Sequence, residues 1–140
     1  MSNATVRDSM TSSPTTISTD ATAAEAARKL ASENVGSLPV VDGEELVGIV
    51  TDRDLVVRVL AEDLDAQQVA VADVCSESPV TARPDESLED ALQRMAQQQV
   101  RRLPVVDGGR LVGILAQADV ARSAPEQSTG RMVEEISERS

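Results

Sequence analysis

The chain has 140 residues and a formal charge of -11, with no histidine, no aromatic residue and one cysteine. That length suits one compact domain or two small halves that depend on each other, since about sixty residues alone bury too little surface to be more than marginally stable. The charge argues against nucleic acid and anionic membrane, where basic patches supply the affinity, the missing histidine removes the usual general base and metal ligand, and a lone Cys75 forms no internal disulfide.

Residues 1–5 are polar and read as a disordered terminus. Residues 6–10 read as one helical turn leading to Pro14, and residues 15–17 as a short extended piece. Thr22 followed three residues on by Glu25 is a capping box. Behind it Ala23, Ala26, Ala27 and Leu30 recur at helical spacing, which predicts an amphipathic helix with that buried stripe. Residues 38–54, LPVVDGEELVGIVTDRD, combine two β-branched runs around an Asp-Gly turn, a hairpin signal. Residues 51–60 then read as a helix that starts at the end of a strand. Residues 61–70 form an acidic connector.

The same series returns at an offset of sixty-five. From Val6/Val71 to Asp54/Asp119 the two copies align without a gap, with 20 identities over 49 positions. Residues 71–75 match the first turn, Pro79 and residues 80–82 the extended piece, and Ser87 with Asp90 the cap. Leu88, Ala91, Leu92 and Met95 repeat the stripe, residues 103–119 (LPVVDGGRLVGILAQAD) the hairpin, and a helix is predicted from Ala116 to about Ser123. In the tail, residues 128–140, Met132, Val133 and Ile136 are spaced for a short amphipathic helix that either caps its own core or packs on a second subunit. A gapless repeat of this kind marks units that bury their apolar faces against each other.

This order, given twice with the paired LPVVDG, LVGI and closing Asp, resembles the cystathionine-β-synthase (CBS) domain, and the tandem resembles a Bateman module of the small stand-alone type. The resemblance implies an α/β fold, an α+β sandwich of two β-α-β-β-α repeats about a pseudo-twofold axis. The segments expected are a disordered 1–5, repeat 1 over 6–60, a connector over 61–70, repeat 2 over 71–123 and a tail over 124–140. It also implies two clefts that take adenosine-containing ligands (AMP, ADP, ATP, S-adenosylmethionine or dinucleotides) and association as a homodimer.

In the family, the Ser/Thr and Asp of a glycine-led motif contact phosphate and ribose, and residues 48–54 (GIVTDRD) supply that motif complete. A helix start offers unpaired N–H groups to a phosphate. Thr51 adds a hydroxyl donor and Arg53 a charge-assisted partner, while the Asp54 carboxylate accepts two hydrogen bonds from a ribose diol. The same Thr-x-x-Asp spacing equally fits a helix cap that needs no ligand. In the second copy Asp119 is kept, but Ala116 and Ala118 replace the hydroxyl and the arginine; Arg101 and Arg102 bring charge back just before the strand. That cleft either takes ribose and base with weak phosphate binding or stays empty. With no aromatic ring, an adenine lies between aliphatic walls, with Ile17, Pro39 and Val41 as candidates in the first copy and Ala82, Pro104 and Val106 in the second. The backbone of Thr16-Ile17 and Thr81-Ala82 reads its edge. These side chains are also what any core would use.

No catalytic constellation, metal site or obligatory cofactor is expected. The preferred reading is a cytoplasmic regulatory module with an adenine nucleotide as its ligand, acting on an unidentified protein target. The alternative is an interaction or structural module whose clefts are degenerate. Neither nucleic acid nor membrane is an expected partner.

Overall fold

The computed structural model describes residues 4–77, 80–118 and 120. In chain order the elements are a helical turn α1 (Val6–Ser9), β1 (Thr11–Ser12), β2 (Ile17–Ser18) and helix α2 (Ala23–Glu33). The hairpin strands β3 (Ser37–Asp42) and β4 (Glu45–Thr51) follow, then a short helix α3 (Asp52–Leu55) that runs into a π-helical turn (Val56–Leu60). A helical turn α4 (Val71–Val74), β5 (Ser76–Glu77), helix α5 (Leu88–Gln98) and the hairpin β6 (Arg102–Asp107) and β7 (Arg110–Ala116) complete the order. The expected α/β class and both hairpins are present. Gln117 and Ala118 are helical after β7; the rest of that predicted helix, including Asp119, and the tail segment with Met132, Val133 and Ile136 lie outside the described residues.

Two compact units form, and they interleave the sequence repeats. One takes residues 15–77 with 109–111, the other residues 4–14, 80–108, 112–118 and 120. In the first, β2 runs parallel to β3 with Ile17 opposite Val40, β3 is antiparallel to β4, and β4 is antiparallel to β5 with Ile49 opposite Ser76. Its core joins Ile17, Leu30, Leu38, Val40, Val50 and Val59 to Val71, Val74 and Cys75. In the second, Ala82 pairs in parallel with Val105, β6 pairs with β7, and β7 is antiparallel to β1 with Ile114 opposite Thr11. Its core is Val6, Leu88, Ala91, Met95, Leu103, Val105 and Leu115. The opening turn of each copy is thus buried with the other copy's helix and strands: the Val71 N–H donates to the Ala21 carbonyl at 2.8 Å, and the Val6 N–H to the Glu86 carbonyl at 3.1 Å. The two-residue strands β1 and β5 escape a reading by pattern, because Thr-Ser and Ser-Glu are too short to show any alternation.

The capping box at Thr22 and Glu25 forms with both bonds at 3.1 Å. At Ser87 only the hydroxyl half forms, accepting from the Asp90 N–H at 3.0 Å. The connector is not a free spacer, for the Ala23 and Ala24 N–H groups that open α2 donate to the carbonyls of Val69 and Ala66 at 2.8 and 2.9 Å. Thr5, within the segment expected to be disordered, caps α1, its N–H donating to Asp8 Oδ2 at 3.0 Å. Two further expectations change. Ala27 is exposed: it flanks the stripe of Ala23, Ala26 and Leu30, and one methyl gains little from burial. Residues 51–60 are not one regular helix. After α3 the ladder widens, the Ala61 N–H reaching the Val56 carbonyl at 2.8 Å, in a run whose three valines lose side-chain freedom in a helix. The wider turn keeps Leu55 and Val59 inside and leaves Val56, Val57 and Leu60 at 53, 45 and 66% exposure.

Candidate functional site

The glycine-led motif spans the end of β4 and the start of α3. Thr51 is the N-cap: its Oγ1 accepts from the Asp54 N–H at 2.9 Å, and Asp54 Oδ2 accepts from the Thr51 N–H at 3.0 Å. The helix start does not offer free N–H groups, contrary to the sequence expectation. The Asp52 N–H donates to the Gly36 carbonyl at 3.0 Å and the Arg53 N–H to Asp52 Oδ1 at 2.7 Å, so the first three N–H groups of α3 are satisfied within the chain. Two groups keep spare capacity. The Thr51 hydroxyl, acceptor in the cap, still has its proton to donate, and among the described residues Asp54 Oδ1 faces the Ser76 hydroxyl at 3.5 Å and Arg58 Nε at 3.9 Å. Asp54 is buried at 9% exposure, whereas Arg53 and Asp52 lie on the surface. A donor and a carboxylate acceptor one helical turn apart suit vicinal hydroxyls. A phosphate meets two aspartates there, with Arg53 on the surface and Arg58 already turned to Asp54 Oδ1 and the Val74 and Cys75 carbonyls.

The glycine that opens the motif has a packing role. A Cβ on Gly48 would overlap the Ser76 carbonyl oxygen and lie 3.2 Å from Cys75 Sγ; one on Gly113, its repeat partner, would lie 2.8 Å from the Thr11 carbonyl oxygen. In both copies the crossing strand needs a residue without a side chain.

Of the aliphatic candidates, Ile17, Pro39, Ala82 and Pro104 are buried in their units and Val41 and Val106 half-buried. Ile17 and Ala82 are core members. Ala82 spends both backbone groups on β6, its N–H donating to the Pro104 carbonyl and its carbonyl accepting from the Val106 N–H, each at 2.9 Å; the edge-reading expected of its N–H is therefore unavailable. The preceding carbonyls are held by cations that sequence reasoning missed. Lys29 Nζ donates to the Thr16 carbonyl at 2.6 Å, and Arg94, at the matching repeat position, to the Thr81 carbonyl at 2.9 Å. The signal was available, since Lys29 and Arg94 are a conservative pair in the repeat alignment. In the second unit Arg101 and Arg102 are exposed, Ala116 is half-buried, and the buried Gln117 Nε2 has no partner among the described residues. Asp119 lies outside the described residues, so Thr51 and Asp54 are the better-defined pair of candidates.

Arg94 also makes a two-pronged ion pair with Glu86, both N–O distances being 2.8 Å. The Arg94 guanidinium holds the Glu86 carboxyl below the usual carboxylate range. A depressed folded-state pKa contributes stability above the unfolded value and loses it as pH falls through the folded one. Glu86→Gln is therefore expected to cost about 1 kcal/mol at pH 7, discounted for the partly exposed arginine, and progressively less as pH falls through the lowered folded-state pKa of Glu86. Urea melts of the two proteins at pH 7 and pH 3 check this, and an equal cost at both values would refute it.

Residues 6–61 and 71–126 each match the CBS domain. The chain belongs to the CBS-domain family. As a tandem CBS pair it is 44% identical over 133 residues to the CBS domain-containing protein YhcV of Bacillus subtilis, covering 94% of both chains. It is 35% identical to hypoxic response protein 1 of Mycobacterium tuberculosis, covering 94% of this chain and 93% of that one. A crystal structure of hypoxic response protein I with two coordinated zinc ions superposes with a TM-score of 0.79 at 34% identity, covering 87% of this CBS pair and all of the other chain. CBSX2 in complex with AMP gives 0.74 at 34% identity, covering 85 and 94%; CBSX2 is an Arabidopsis thaliana CBS-pair protein. This CBS pair has no histidine and one buried cysteine, and no cluster of three or more potential ligands occurs among the described residues. None of its described helices is long and apolar enough to cross a membrane.

Proposed function

We propose that this CBS-pair regulatory module binds an adenosine-containing ligand through the half-site at Thr51 and Asp54, and that it works in the cytoplasm without catalysing a reaction. The observation that carries the reading is the spare capacity left by the capping box: one hydroxyl proton on Thr51 and one buried carboxylate oxygen on Asp54, spaced for a ribose diol. A family member 34% identical to this chain was solved in complex with AMP, which supports the ligand class. Regulation follows if the ligand has different affinities for two arrangements of the module.

Calorimetric titration with AMP, ADP, ATP, S-adenosylmethionine and NADH tests this. Saturable heat is expected with at least the nucleoside monophosphate, and no heat with any of the five overturns the reading. That outcome favours a second reading, for which Val56, Val57, Leu60 and Leu64 speak: all four are 45–66% exposed, an apolar face suited to a second copy in a homodimer or to a protein target.

A further inference from the structure

The capping bond fixes only one oxygen of Asp54. With Oδ2 on the Thr51 N–H, the carboxylate still pivots, and the direction of Oδ1 depends on what it meets. Two groups meet it, neither of them in the sequence motif. Ser76 Oγ lies 3.5 Å away, and Arg58 Nε lies 3.9 Å away. Both are themselves held. Ser76 pairs with Ile49 in the sheet, and its carbonyl rests on the bare face of Gly48. Arg58 Nη1 donates to the Val74 and Cys75 carbonyls at 3.3 and 3.2 Å. Residues 74–77, in the opening segment of the second repeat, are thereby tied to the Asp54 carboxylate on one side and to the motif's glycine on the other.

We propose that Ser76 and Arg58 are positioning residues that aim Asp54 Oδ1, so that the opening segment of the second repeat completes the half-site of the first. The proposal rests on the nucleotide reading above for its functional meaning, but the contact it describes stands apart from any ligand. It also explains why the halves are unequal at the level of sequence: Ser76 corresponds to Thr11, which keeps a hydroxyl, whereas Arg58 corresponds to Ser123, which carries no charge.

The single cysteine supplies the readout. Cys75 is 5% exposed, and burial pushes its thiol pKa up, so its labelling by a thiol reagent reports release of residues 74–77. Labelling rates are measured in native buffer for the wild type, Ser76→Ala, Asp54→Asn and the double variant. Each single variant is expected to speed labelling, and the double variant to add nothing beyond the faster single one, because both break one contact. In parallel, the affinity ratio of AMP to 2′,3′-dideoxyadenosine monophosphate is expected to fall about fivefold in Ser76→Ala, the size of one neutral hydrogen bond, and to be retained in Ser76→Thr. A purely structural Ser76 would shift the melting temperature and leave that ratio alone. An unchanged ratio in Ser76→Ala, or fully additive labelling rates, overturns the proposal. If the wild type binds neither nucleotide, the nucleotide reading fails by itself and the labelling cycle alone decides whether Ser76 positions Asp54.

Discussion

Gly48→Ala is expected to cost the fold about 3 kcal/mol or more, at or above the upper end for overpacking, because the obstacle is backbone rather than a side chain that can turn away. The added methyl would overlap the Ser76 carbonyl oxygen and press on Cys75 Sγ, and both belong to a segment that Arg58 holds through the Val74 and Cys75 carbonyls and that β5 pairs with β4. Against a total stability of roughly 5–15 kcal/mol for a protein domain, that is a large share. Gly36→Ala is the internal control: its nearest neighbour would be Asp52 Oδ2 at 3.5 Å, an ordinary contact, and the change is expected to be nearly neutral. With no tryptophan or tyrosine in the chain, urea melts followed by far-ultraviolet circular dichroism are the measurement. A Gly48→Ala midpoint within error of Gly36→Ala would show that β5 moves aside freely, and with it that the crossing segment is not held as described.

The second large effect is at Asp54, where two substitutions separate the cap from the ligand contact. Asp54→Ala removes the acceptor for the Thr51 N–H and is expected to lose about 1–2 kcal/mol of stability along with binding. Asp54→Asn keeps one oxygen for that N–H and replaces the other with a donor. It is expected to cost about 1 kcal/mol in stability and to weaken the adenine-nucleotide ligand by about tenfold or more, since hydrogen bonds to a charged acceptor are the stronger ones. Denaturant melts and calorimetric titrations on both variants check the pair. Wild-type affinity in Asp54→Asn would remove Asp54 from the site while leaving its role in the cap intact.

Much of this was legible before any coordinates. The hairpin turns were named by Asp-Gly and Asp-Gly-Gly, and the structure places Gly43, Gly108 and Gly109 at φ +66, +61 and +85, in the left-handed region that glycine enters at least cost. The stripes of α2 and α5 followed from spacing, apart from Ala27. The Thr51–Asp54 spacing carried both the cap and the ligand reading; the structure shows the cap, and the bonds it consumes leave one carboxylate oxygen and one hydroxyl proton for the proposed ligand contact. What spacing did not convey was that the α3 N–H groups are already spent, since that of Asp52 goes to Gly36, sixteen residues and a whole hairpin away.

The amino-acid sequence by itself determined the local elements, the twofold repetition and the inequality of its halves, because caps, turns and apolar periods act over a few residues and are written wherever they act. Only the tertiary structure decided which copy each opening turn packs with and what Gly48, Arg58 and Ser76 touch. Those assignments depend on one strand crossing another at a distance set by packing, where a missing Cβ and a carbonyl from twenty-eight residues away meet, and no local pattern records such a meeting.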